Sequence, residues 1–359
     1  MDKGYLFRRI GILRYILLCS TILLIAACGK AENQTTSKQA HKNKLTIFCT
    51  DAFRTSGLES TIIPEFSKKH DCSIELVLFR NAAELCSAVK DKTKYCTYDL
   101  AIGIDNSFAL SESLTLQFVP PDDFNPEQLT KETIFDPQLR LIPYAYSSMC
   151  LVYNTKNIPV APQSFGELQD AKYLSQIAIC DPHDSGVGRA TLFWSLALFG
   201  PDGYEHLWKS LRKNIYKSYP DRNEALAALT KGECNLLMSL NTIPAYLQEL
   251  DPQNTNFAGS MLKEGSYQYI ESVGVHRGSN HAALASKFVQ HMLSPEAQKM
   301  VVYKLGMFPA NRKTLLPMHF SSIPFTSYAV NSRISQSLIA EQLNLWLDFW
   351  DRLFGFQIS

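Results

Sequence analysis

The chain predicts an α/β fold of two lobes, each a mostly parallel sheet flanked by helices, with a ligand cleft between them. Three observations carry that expectation. Short apolar runs alternate with amphipathic stretches from Leu45 onward, and such alternation builds parallel sheets through right-handed crossovers. The runs end in compact polar residues (Thr50 and Asp51, Asn81, Asp105 and Asn106), and open α/β sheets collect ligands at the carboxyl ends of their strands. Two adjoining apolar runs, 140–146 and 149–153, read as a strand pair that crosses into a second lobe.

Taken in order, 45–49 is a buried strand and 60–70 a helix with Ile62, Ile63 and Phe66 on one face. A strand at 73–79, a helix at 81–90 and a strand at 98–104 follow. Beyond the crossing pair come a strand at 176–180, a glycine-bearing loop at 181–188 and a helix at 189–199. A helix at 224–231 and strands at 234–240 and 267–275 complete the second lobe. Helices at 282–293 and 295–305 return to the first lobe, and 334–354 is a long amphipathic helix carrying Leu338, Leu343, Trp346, Leu353 and Phe354. The expected organisation is a signal at 1–27, a tether at 28–44, lobe one at 45–143, lobe two at 144–273, and a return to lobe one with the terminal helix at 274–359.

The signal rests on Lys3, Arg8, Arg9 and Arg14 ahead of an uncharged apolar run of 13 residues, Tyr15 to Ala27. A transmembrane helix needs about 20 apolar residues. The run ends LIAAC at 24–28, which resembles the lipobox of bacterial lipoproteins, in which the cysteine is acylated and becomes the first residue. Cys28 is therefore expected to be a lipid anchor, and dual acylation holds a membrane where one chain does so marginally. Residues 29–44 hold no large apolar side chain and read as a flexible tether.

Composition narrows the function. At 46% hydrophobic and 19% charged, 359 residues can build two ordinary domains. Without residues 1–28 the net charge is about −2, which argues against nucleic acid, a partner that needs a basic footprint. No later run reaches transmembrane length, so the body is expected to be soluble, and it is expected to be a monomer. Seven cysteines remain after Cys19 and Cys28, in no zinc-ligand spacing. Cys49, Cys150 and Cys180 read as buried small hydrophobes, while Cys86 and Cys96 flank a short polar loop and could pair.

The loop at 181–188 is the sharpest local signal. Gly186 and Gly188 free backbone amides at a helix start and Ser185 adds a hydroxyl, so the loop is either an anion site or an ordinary helix capped by Asp184 or Ser185. It lacks the lysine of a phosphate-binding P-loop. No nucleophile elbow, zinc-protease motif or acid–base pair is present, and no cofactor is called for. Of the eight histidines only His183 lies in that loop. Tyr144, Tyr146, Tyr246, Tyr267 and Tyr269 are candidate cleft aromatics, with core packing the competing role for each.

Ordered motifs run through the body: LTIFCTDAF (45–53), DLAIGIDN (99–106), IPYAY (142–146), LVY (151–153), PQSFGEL (162–168), Asp181 with Ser185, KGE (231–233), SLNTIPAY (239–246), EGSY (264–267) and MFPA (307–310), then Trp346 and Trp350. Together they resemble the thiamine-binding proteins of bacterial ABC importers, within a larger class that binds iron, polyamines and similar solutes. The resemblance implies a type II periplasmic-binding-protein fold whose lobes close on a solute and hand it to a permease and its ATPase, so that no catalytic residue is needed. Together with the polar strand ends and the glycine loop, it puts the expected ligand contacts at Thr50, Asp51, Asn81, Asp105, Tyr146, Ser185, Gly186, Arg222, Asn241 and Tyr246. It also exposes a departure. The family's stacking aromatics fall at Thr50, Gly57, Arg222 and Leu305 or Gly306, and an acidic position falls at Asn81, whereas Tyr246 and Ser185 are kept. Thiamine or a thiamine phosphate is the leading ligand. The alternatives are another small solute, such as an anion or phosphate ester held by Arg222, an enzyme on the same scaffold, or a structural lipoprotein.

Overall fold

A computed structural model describes residues 43–91, 98–325 and 329–355. The signal, Cys28 and the tether up to residue 42 lie outside these residues, as does Cys96.

The first lobe is assembled from β1 (Asn43–Thr50), α1 (Asp51–Thr55), α2 (Glu59–His70), β2 (Cys72–Phe79), α3 (Ala82–Lys90), β3 (Leu100–Asp105), α4 (Asn106–Ser111) and β4 (Phe118–Val119). β1 lies between β2 and β3, parallel to both. Leu45, Ile47 and Cys49 of β1 are fully buried on one face, and Phe48 packs on Phe79 and Tyr98 on the other. Burial on both faces is what a covered parallel strand requires, and it explains the near-continuous apolar runs.

The expected strand pair is one strand, β5 (Leu141–Asn154). It runs through because it changes partners midway. Leu141 to Ser148 pairs antiparallel with β10 (Gln268–His276) in the first lobe, and Met149 to Tyr153 pairs antiparallel with β8 (Leu236–Leu240) in the second. The exchange thus falls at Ser148 and Met149 rather than at 143/144, and β10 belongs wholly to the first sheet.

The second lobe contains β6 (Ile177–Cys180), α5 (Gly186–Leu211), β7 (Ile215–Tyr219), α6 (Arg222–Lys231), β8, α7 (Ile243–Leu250) and β9 (Phe257–Ser260). β6 is parallel to β7 and β8. α8 (Ala282–Met292), α9 (Pro295–Leu305), β11 (Phe308–Pro309), α10 (Met318–Ser321) and α11 (Gln336–Phe354) follow. β11 pairs with β5 at Tyr146 and Ala145. α11 sets its aromatic face on α5, with Trp350 against Trp208 at 4.8 Å between ring centres and Phe349 against Tyr204 at 5.3 Å. The terminal helix therefore packs on the second lobe's longest helix as well as on α4.

Among the described residues, Cys49, Cys72, Cys86, Cys150, Cys180 and Cys234 are buried thiols. No described helix is long and apolar enough to cross a membrane.

Candidate functional site

The strand ends of both lobes open onto one cleft with two adjoining chambers, of about 820 Å³ and about 1020 Å³ of empty volume. Both chambers are bordered by Thr50, Ala52, Thr55, Arg222, Asn223 and Glu271, so they form a continuous site rather than two. Tyr144, Tyr246, Lys304 and Leu305 line the first, while Asp51, Arg80, Asn81, Asp184, Ser185, Gly186 and Tyr269 line the second.

Local folding explains these placements. β1 ends at Thr50 and α1 begins at Asp51, which delivers both to the cleft. Three helices start at its wall. Asn81 caps α3 by accepting from Glu84 N–H, Ser185 caps α5 by accepting from Gly188 N–H at 3.3 Å, and Asp221 caps α6 by accepting from Asn223 and Glu224. Of the two roles left open for Ser185 the cap is present, and its position also borders the cleft. Gly186 is required by close approach: a Cβ there would come within 2.8 Å of the Tyr269 hydroxyl and closer still to the Asp105 carboxylate. Gly306, at φ +63°, ends α9 against Tyr246, where a Cβ would lie within 2.8 Å of the tyrosine's own Cβ.

Seven of the ten residues expected at the site border the cleft: Thr50, Asp51, Asn81, Ser185, Gly186, Arg222 and Tyr246. Three lie elsewhere. Asp105 is fully buried beneath the wall, where it caps α4 through Oδ1, which accepts the N–H groups of Ser107 at 2.9 Å and Phe108 at 3.1 Å. Tyr146 packs at a tilt against Phe308, 5.4 Å between ring centres, because β11 pairs with its strand. Asn241 joins β5 to a later loop, accepting from Ser148 N–H and donating to the Pro324 carbonyl. Tyr267, another candidate aromatic, is core.

Glu271 is the residue that sequence reading passed over. Its Oε2 accepts from the Tyr144 hydroxyl at 2.7 Å and its Oε1 from the Tyr269 hydroxyl at 3.2 Å. Strand alternation was the available signal, because Tyr269 and Glu271 are two apart on one strand and share a face. Ala145 pairs with Glu271 and Pro143 with Ser272, so Tyr144 is the extra residue of a bulge that turns its hydroxyl to the carboxylate. Burial, reinforced by the charge of Glu271, raises both phenols and keeps them as donors. His183 is raised by its hydrogen bond to Asp181.

Polar contacts cross between the lobes. Asn81 Nδ2 donates to Asp184 Oδ1 at 3.0 Å. Arg189 of α5, which is 3% exposed, donates to the Ser111 hydroxyl at 2.9 Å and lies over the Phe108 ring.

Two sheets joined by one crossing strand, with a cleft between their strand ends, give the fold of type II periplasmic binding proteins. The chain belongs to the bacterial extracellular solute-binding proteins, whose family model matches residues 114–326. It is a transport component of that family rather than an enzyme. It is 26% identical to the thiamine-binding periplasmic protein of Brucella melitensis over 86% of this chain and 91% of that one. It is 26% identical to that of Haemophilus influenzae over 94% and 98%. A solved periplasmic thiamin binding protein superposes with a TM-score of 0.77 at 24% identity, covering 86% of this chain and 96% of the other.

Proposed function

We propose that this protein is the thiamine-capturing subunit of a bacterial ABC importer, anchored on the periplasmic side of a membrane through Cys28, and that it passes thiamine or a thiamine phosphate to a permease and ATPase. One observation carries the reading: tyrosines and a carboxylate line the shared cleft of a chain that resembles thiamine-binding proteins over nearly its whole length. By the resemblance, Thr50, Gly57, Arg222 and Leu305 or Gly306 fall where the family stacks its aromatics; here Tyr246 offers aromatic surface from α7, while the buried Tyr144 and Tyr269 meet the cleft through their hydroxyls at Glu271. A cationic thiazolium is attracted to such rings, by about 0.5–2 kcal/mol for each well-placed face. Arg222, Arg80 and Lys304 suit an ester phosphate on the same ligand. Thr50, Asp51, Asn81, Ser185, Gly186, Arg222 and Tyr246 are the proposed contacts.

Calorimetry of the full chain in detergent, with thiamine, its phosphates and a panel of anions, tests the assignment. Thiamine compounds should bind well below about 100 µM. Silence at that concentration removes the vitamin but leaves the solute-binding family in place. The same basic residues favour a second reading, a phosphate ester without the heterocycle, which would then be the compound that binds. Cys28→Ser should release the protein from membranes; retention would end the lipid-anchor reading.

A further inference from the structure

Among the carboxylates that line the cleft, Glu271 alone borders both chambers. Each of its oxygens accepts one tyrosine hydroxyl, from Tyr144 and Tyr269, and these two bonds fix the rotamer while leaving each oxygen a further acceptor site. Among the described residues, no lysine, arginine or histidine forms an ion pair with it. A half-buried carboxylate held by neutral donors is an incomplete pair, and it gains most from a cation brought to it in a site that excludes water. Arg222 borders the same chambers from the second lobe. A solute spanning both chambers must therefore place positive charge toward Glu271 and keep it from Arg222.

We infer that Glu271 is the residue that selects a positively charged heterocycle over an uncharged one of similar shape, with Tyr144 and Tyr269 as its positioning residues. This deepens the thiamine reading and rests on it. Strand β10 carries both Glu271 and Tyr269, and β5 carries Tyr144. The selector thus stands on the first-lobe sheet, on β10 and on the part of β5 that pairs with it just before β5 crosses to the second lobe, so the second lobe can close over a ligand already paired to it.

The test is titration of the full chain in detergent with thiamine, a cation, and thiochrome, its uncharged fused relative. Wild type should prefer thiamine. Glu271→Gln keeps the size and should weaken thiamine by about 10- to 100-fold and thiochrome by less than about threefold, the size of a lost charge-assisted bond. Glu271→Asp should recover part of the preference. Tyr144→Phe should weaken thiamine less than Glu271→Gln does, with the preference for the cation retained. Thermal melts confirm that each variant is folded, and if the Gln variant has no transition the Asp and Phe variants decide. Thiamine binding within threefold of wild type in Glu271→Gln, or equal losses for both ligands, overturns the inference and leaves the thiamine assignment standing. No thiamine binding by wild type overturns both.

Discussion

Asp105 shows how a single buried side chain can make the molecule sensitive to pH. One carboxylate oxygen caps α4, and the other is buried without a hydrogen-bond partner, facing Gly186 at the start of α5. Burial pushes the carboxyl from 3.8 up to about 6, against the pull of the hydrogen bonds from Ser107 and Phe108 and with help from Glu271. Tyr267 just before β10, Tyr269 of β10, Cys86 of α3 and Arg189 of α5 are the other titratable groups whose fields reach it. The protonated form is favoured in the folded state, so the associated stability is fully present below 3.8 and is lost as pH rises through about 6. The full effect of such a shift is roughly 3 kcal/mol. Asp105→Asn retains a capping oxygen and should flatten the decline of the unfolding free energy between about pH 4 and pH 7 by up to that amount. Urea denaturation at several pH values measures it; an unchanged slope would mean that the carboxyl is hydrated in solution. The strand-end rule put Asp105 among the expected contacts, but that rule does not say whether a terminal side chain points into the cleft or, as here, under it.

At the scale of an element, α11 acts as a clasp on α5. Ile339, Leu343, Trp346, Trp350 and Phe354 recur at helical spacing and are buried, and Ser335 caps the start by accepting from Leu338 N–H. Trp350 and Phe354 meet Trp208 edge to face, Tyr204 donates to the Trp346 carbonyl at 3.0 Å, and Arg212 donates to the Leu353 carbonyl at 2.7 Å. Trp350→Ala should lower unfolding stability by about 3–5 kcal/mol, the range for removing a large buried aromatic. Chemical denaturation reads it, and a loss below about 1 kcal/mol would show that the helix end frays in solution. Periodicity made this helix visible in the sequence, as it did the strand–helix alternation. Other elements were hidden by residues that usually end structure. Gly200, at φ +68°, leaves the helical conformation and divides α5 into two helical stretches, so the expected end at 199 marks the break, and the second stretch runs on from Pro201 to Leu211 with Tyr204, Leu207 and Trp208 buried. The polar Ser147 and Ser148 interrupt β5 in composition, yet the strand continues through them because it changes partners at that point. β7 reads IYKSY, too short and mixed to signal a strand before its pairing with β6 is known.

At the scale of the whole molecule, affinity depends on how firmly the lobes stay together over the solute. Asn81 at the start of α3 and Asp184 before α5 meet across the second chamber through one hydrogen bond. Both residues were visible in the sequence as polar strand-end and loop residues, but their pairing was not, because 103 positions separate them. Asn81 spends its oxygen on the α3 cap and its amide on Asp184, so one side chain fixes a helix start and reaches the other lobe. Such a bond forms only when the lobes approach, and it therefore stabilises the closed state in proportion to its own strength. Arg189 works differently. It is buried between the Phe108 ring and the Pro182 carbonyl, and it ties α5 to α4 through the Ser111 hydroxyl. Asp184→Ala removes the Asn81 contact while leaving Ser185 to cap α5 and Asn81 to cap α3. The solute should then escape faster, by about 3- to 10-fold, with the association rate within about twofold of wild type, because a net bond of about 1 kcal/mol is lost from the closed state alone. Stopped-flow tyrosine and tryptophan fluorescence separates the two rates. A slowed association with unchanged escape would instead make Asp184 a residue that guides the solute into the open cleft.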